Sequence, residues 1–182
     1  MNKYLEKHPL INKNLFVFEF PFHCSKMNND KLSAYIINKY INFGFTEDNN
    51  YNDIDLNDDH DENIVWVENF VKEKFSILNN FRINSLNHIA QINGFLESSY
   101  KRNHVNHFDY DMSPHFTSVY VVKGTGNFII EYPDYKQEDA WQMFKMEPGR
   151  IFVFNSDLNY FTDKNLDKNI NRQLLITNYK KT

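Results

Sequence analysis

The chain has 182 residues, 41% of them hydrophobic and 16% aromatic, with 20 basic against 24 acidic side chains for a net charge of −4. That is enough apolar material for one folded domain with a sizeable core, and it excludes an intrinsically disordered chain. The acidic balance leaves no general positive field for nucleic acid, and the single cysteine, Cys24, excludes an intramolecular disulfide and fits a reducing interior.

The N-terminus, MNKYLEKHPLINKN, lacks the apolar segment of a secretion signal, and no apolar run approaches membrane-spanning length. A soluble, cytoplasmic protein with no membrane partner is expected. Residues 15–20 are β-prone and stop at Pro21, which predicts a strand. Asn28, Asn29 and Asp30 then offer N-caps to a helix in which Leu32, Tyr35, Ile36, Lys39 and Tyr40 keep helical spacing, and Gly44 is a plausible stop.

Residues 47–62 are acidic and rich in asparagine. Asp53, Asp55 and Asn57 alternate like the start of a calcium loop, but Asp58 stands where the turn needs glycine and Ile64 where the closing glutamate belongs. A solvated loop is the expectation there. A second helix is predicted over 63–78, with Trp66, Phe70, Lys74 and Leu78 four apart and Val67 and Val71 beside them. From residue 81 the pattern turns to strands: 81–92, 95–108 after a break at Gly94, 117–122, 127–132, 141–146, 150–154 and 172–179. The turns KGTG (123–126) and EPG (147–149) predict two hairpins. Helices followed by many short strands, without a repeat, predict a single α+β domain over 1–182. In it, residues 1–92 support a barrel or jelly roll formed by 93–182.

The stretch YKRNHVNHFDYDMSPHFTSVY (100–120) concentrates the chemistry, with His104, His107 and His115 beside Asp109 and Asp111. His107 and Asp109 are two apart, so at a strand end they share a side. They supply an imidazole and a carboxylate, two of the three groups in a facial triad for non-haem Fe(II). His104 is an odd number of residues from His107 and faces the other way in a regular strand, while His115 follows Pro114 in a loop. No nucleophile elbow and no phosphate-cradling glycine loop occurs.

The order of these parts resembles the Fe(II)/2-oxoglutarate-dependent oxygenases, which are built on a double-stranded β-helix, and in particular the small forms found in bacteriophage genomes. His107 and Asp109 match that family's first ligand pair, and Ser118-Val119-Tyr120-Val121 matches its next strand. Residues 148–156, PGRIFVFNS, match its later segment, and Arg172 matches the arginine that holds the far carboxylate of 2-oxoglutarate. The alignment places Tyr160 where the family has its distal iron-binding histidine, and no histidine follows His115. The resemblance implies N-terminal helices packed on a cupin-like jelly roll. It also implies Fe(II) and 2-oxoglutarate as cofactors, with His107, Asp109 and Tyr160 at the metal and Arg172, helped by the Tyr120 hydroxyl, at the cosubstrate. A small-molecule or peptide substrate, a virus-encoded source, and a homo-oligomer or virion partner accompany it as expectations. The Tyr160 substitution keeps a second reading open, a non-catalytic double-stranded β-helix that lost its iron site. Residues 119–126, VYVVKGTG, also resemble the cupin strand and turn, and a cupin-type isomerase or binder is the third.

Overall fold

The computed structural model describes residues 5–7, 16–19, 28–42, 53–57, 61–79, 81–99, 113–131 and 141–182. Their elements run β1 (Leu5–Lys7), β2 (Phe16–Glu19), α1 (Asn29–Asn42), β3 (Asp53–Asp55), α2 (Glu62–Asn79) and β4 (Ile83–Asn93). There follow β5 (Phe116–Lys123), β6 (Gly126–Glu131), β7 (Trp141–Met146), β8 (Arg150–Asn155), β9 (Asn159–Thr162) and β10 (Arg172–Lys181). All strand pairs are antiparallel, in a seven-stranded sheet ordered β1-β2-β8-β5-β10-β4-β3 and a three-stranded sheet ordered β7-β6-β9. The protein is an α+β jelly roll, as its sequence predicts.

Strands β5, β8 and β10, at the centre of the larger sheet, are buried on both faces, so they carry long buried runs instead of alternating ones. In β5, Tyr120 and Val122 join the helices in one core, whereas Val119 and Val121 face the smaller sheet in a second. Leu175 and Tyr179 of β10 likewise face the helices, and Leu174 and Ile176 the interior. Facing them from the small sheet are Phe128, Ile130, Phe144, Met146 and Tyr160. Phe128 stacks on Phe152 of β8 at 4.4 Å between ring centroids, tying the two layers together.

Each helix is capped as its sequence asks. The Asn28 side chain accepts the Lys31 amide at 3.0 Å, and Asp61 accepts the Asn63 amide at 2.9 Å. Buried Asn63 in turn accepts the Asn28 amide, joining the two helix starts. The buried stripe of α2 is Ile64, Val67, Val71 and Phe75; it includes the expected Val67 and Val71, while Trp66 and Phe70, one position over, are half-buried.

Three other expectations change. Residues 123–126 and 147–149 do not close hairpins. Strand β5 lies in the large sheet and β6 in the small one, as do β8 and β7, so both turns are corners that hand the chain between layers. Residues 53–57 are not a solvated loop: Ile54 and Leu56 are buried, and β3 pairs with β4. Phe95 and Leu96 form an exposed turn instead of opening a strand, while 100–108 lies outside the described residues. No described helix is long and apolar enough to cross a membrane.

Candidate functional site

Arg172 opens β10 opposite Asn93 of β4, on the face that looks toward the small sheet. It is 0% exposed. A guanidinium so buried needs counter-charge and acceptors, because desolvation penalises its charged form. Burial lowers its pKa, and the neighbouring Asp163 works in the opposite direction. The acceptors come from the end of β9 and the residue after it. Nη2 donates to Thr162 Oγ1 at 2.7 Å and to the Asp163 carbonyl at 2.5 Å, and Nη1 donates to Asp163 Oδ1 at 3.1 Å. Asn93 Oδ1 lies at 3.5 Å. Nε is buried and finds no partner among the described residues, and the same holds for Oε1 of Gln91, two residues from Asn93 along β4.

Asp163 is fixed from its other side, where Oδ1 accepts the Asn127 amide at 2.9 Å and Oδ2 the Asn127 side-chain amide at 2.7 Å. The corner between β5 and β6 closes over this pair. A Cβ on Gly126, whose φ is 138°, would lie 2.6 Å from Asp163 Oδ1 and 2.7 Å from Arg172 Nη1. Glycine here is what lets backbone pass across the ion pair.

Tyr160, opposite Ile130 in β9, also faces the interior and is 0% exposed. Its ring lies 5.1 Å from Phe154 and 5.5 Å from Phe128, so the phenol sits in an aromatic shell. Tyr120 goes elsewhere. Its hydroxyl donates to Asn29 Oδ1 at the start of α1, on the opposite face of the large sheet from Arg172. Strand alternation decides this, since Val119 and Val121 take the inward positions. Tyr120 therefore contributes no hydroxyl to an anion at Arg172.

His107, Asp109 and His104 lie outside the described residues. The chain leaves the described region just past Ser99, which is bonded to β9 in both directions: Ser99 N to Thr162 Oγ1 at 2.9 Å and Thr162 N to Ser99 Oγ at 2.6 Å. It returns at Ser113, ahead of β5. His115 is exposed, with Nδ1 accepting the Lys181 amide at 3.3 Å. No group of three His, Cys, Asp or Glu that would hold a metal occurs among the described residues. These residues by themselves therefore do not form an iron site. Toward a carboxylate they fit better, because Arg172 presents one unpartnered buried N–H.

A separate polar cluster lies between α2 and the outer face of the large sheet. Glu68 accepts from Lys72 and from Ser85 Oγ at 2.6 Å, and His88 Nε2 lies 3.4 Å from its other oxygen. His88 Nδ1 meets Thr177 Oγ1 at 3.0 Å. The His88 hydrogen bond, with Lys72 and Ser85, pulls the Glu68 pKa down to about 2 against the opposing effect of burial. Sequence reasoning missed both Glu68 and Asp163. Only the fold brings Asp163 to Arg172, and the i, i+4 spacing of Glu68 and Lys72 was the one local sign of this second cluster.

Two stacked antiparallel sheets with helices packed outside define a double-stranded β-helix, the fold of the 2-oxoglutarate and iron oxygenases. No family model and no curated protein matches the sequence. Among solved structures, HygX from Streptomyces hygroscopicus, with nickel and 2-oxoglutarate bound, superposes with a TM-score of 0.64 at 8% identity, covering 91% of this chain and 82% of that one. The viral collagen prolyl hydroxylase of Paramecium Bursaria Chlorella virus-1, in its 2-oxoglutarate complex, gives 0.60 at 12% identity, covering 92% and 96%. An oxidoreductase of the 2-oxoglutarate–Fe(II) oxygenase family from Burkholderia pseudomallei gives 0.52 at 10%; the match covers 66% of this chain and spans 56% of that one. At these identities the likeness is one of fold.

Proposed function

We propose that the chain is a 2-oxoglutarate-dependent oxygenase with an altered iron site, in which His107 and Asp109 are metal ligands, Tyr160 stands at the third position and Arg172 receives the cosubstrate carboxylate. The observation that carries the reading is Arg172 itself. It is a fully buried guanidinium at the head of the last strand, turned toward the same space between the sheets as Tyr160, with Nε unpartnered among the described residues. Arginine suits the task because its planar fork stays charged and meets a carboxylate in fixed geometry. Neutral imidazole and carboxylate suit Fe(II), and Tyr160 would add a phenolate oxygen. Bound together, iron and 2-oxoglutarate would supply hydroxylation of an unactivated C–H bond, with succinate and CO₂ released. The substrate would be a small molecule or peptide.

Asp163 favours a second reading. A chain that already pairs its anchoring arginine with its own carboxylate, and packs a tyrosine among phenylalanines at the distal ligand position, is also suited to a non-catalytic binding or assembly role. Anaerobic calorimetry with Fe(II) and 2-oxoglutarate, on the wild type and on His107→Ala, separates the two. Stoichiometric metal binding that the variant loses supports the oxygenase. If neither protein takes up metal at millimolar concentration, the oxygenase reading is wrong and the binding role stands.

A further inference from the structure

We propose that Asp163 is a tethered competitor, a carboxylate of the chain's own that occupies Arg172 and must be displaced before an external carboxylate can bind there. This rests on the reading of Arg172 as a carboxylate anchor and adds the element that controls it. Arg172 is wholly buried, whereas the Asp163 side chain is 33% exposed, so of the two partners it is Asp163 that solvent reaches. An incoming anion meets Asp163 first. Two further features hold the competitor in place. Asn127 contributes two N–H donors to it, and the bare Cα of Gly126 leaves room for the closed pair.

The unpartnered Nε of Arg172 indicates that Asp163 does not saturate the group. A guanidinium has five donor hydrogens in a fixed fork; the Asp163 carboxylate accepts one of them, from Nη1, while Nη2 donates to Thr162 Oγ1 and to the Asp163 backbone carbonyl. A ligand carboxylate that displaces Asp163 from Nη1 would gain in Nε a second donor that Asp163 leaves unused. Exchange of one carboxylate for another leaves the number of carboxylates paired with Arg172 unchanged. The anchor thus stays neutralised with and without ligand, and affinity for 2-oxoglutarate is set by the difference between two similar ion pairs. Weak binding by the wild type follows.

The test is calorimetric titration of 2-oxoglutarate into the wild type, Asp163→Asn, Asn127→Ala and the double variant Asp163→Asn with Arg172→Gln, all loaded with Fe(II) under argon. Removing the competing charge is expected to tighten binding about tenfold in Asp163→Asn, equivalent to about 1.4 kcal/mol. The double variant should lose that gain. Asn127→Ala keeps the charge but loosens its tether, and should give a smaller tightening of about threefold. It also keeps the test decisive if Asp163→Asn fails to fold. Equal affinities in the wild type and both single variants would overturn the competitor while leaving the oxygenase reading in place. Absence of binding in every protein would remove the oxygenase reading and the competitor with it.

Discussion

Tyr160 carries two separable loads, one in the core and one proposed at a metal. Its ring is held by Phe128 and Phe154, contacts that a phenylalanine would preserve. Tyr160→Phe should therefore cost no more than about 1.5 kcal/mol in urea unfolding, yet abolish iron binding if the phenolate is a ligand. Unchanged metal affinity in that variant would take Tyr160 out of the site. Asp163 makes the opposite case, a residue whose loss should be felt in stability. Deleting one partner of a buried pair leaves the other uncompensated, which costs about 3–5 kcal/mol when both are fully buried. Because Asp163 is partly exposed and screened, Asp163→Ala should fall nearer about 2 kcal/mol in the same measurement. The sequence revealed Arg172 as a candidate, because its place at the head of a strand can be aligned. It could not reveal Asp163, since eight residues of irregular chain, 164–171, separate the two and the packing of the two sheets brings them together.

Between elements, the contact of α2 with β4 depends on Glu68 as well as on the apolar stripe. Its folded pKa of about 2 lies below the ordinary 4.5, so Glu68 binds a proton less readily in the folded protein than in the unfolded chain. The stabilisation is fully present above about pH 4.5 and is lost as the pH falls toward 2. Glu68→Gln should flatten the acid limb of a stability profile over that window while leaving its shape above pH 5 unaltered; an unchanged acid limb would mean that other carboxylates set it. On the same interface Phe75 is 0% exposed and packs on Phe81 and Phe116 at 5.4 and 4.6 Å, so Phe75→Ala should cost about 3–5 kcal/mol in thermal or urea melts. Both helices were legible, because caps and periodicity act locally. The inward stripe of α2 was legible only in part: Val67 and Val71 are buried as expected, whereas Trp66 and Phe70 are as apolar as Phe75 and only packing against the sheet chooses between them. Strand β9 escaped for another reason. It is four residues long with two polar members, so its pairing with β6 defines it more than its propensity does.

For the whole molecule, the order of elements was readable while their pairing was not. Two apolar runs around a glycine turn carry the same local signal whether they pair with each other or leave for different sheets. Here both turns are corners. What distinguishes a corner is that each flanking strand is apolar on both faces or belongs to a different layer, a property of the assembled sheets. That same property predicts how the molecule unfolds. Strands β5, β8 and β10 alternate residues between the helix-facing and the inter-sheet cores, so Tyr120 and Val121, or Ile151 and Phe152, sit in different cores through one backbone. Neither core survives once those strands separate. Urea unfolding should thus be a single transition, with far-UV circular dichroism, dominated by α1 and α2, coinciding with near-UV signals from the Phe128, Phe154 and Tyr160 cluster. Two resolved midpoints would mean that helices and jelly roll fold as independent units, and residues 1–182 would then have to be divided. A single midpoint would mean that a destabilising change at Asp163 or Tyr160 lowers the stability of the whole fold, the Glu68 cluster included.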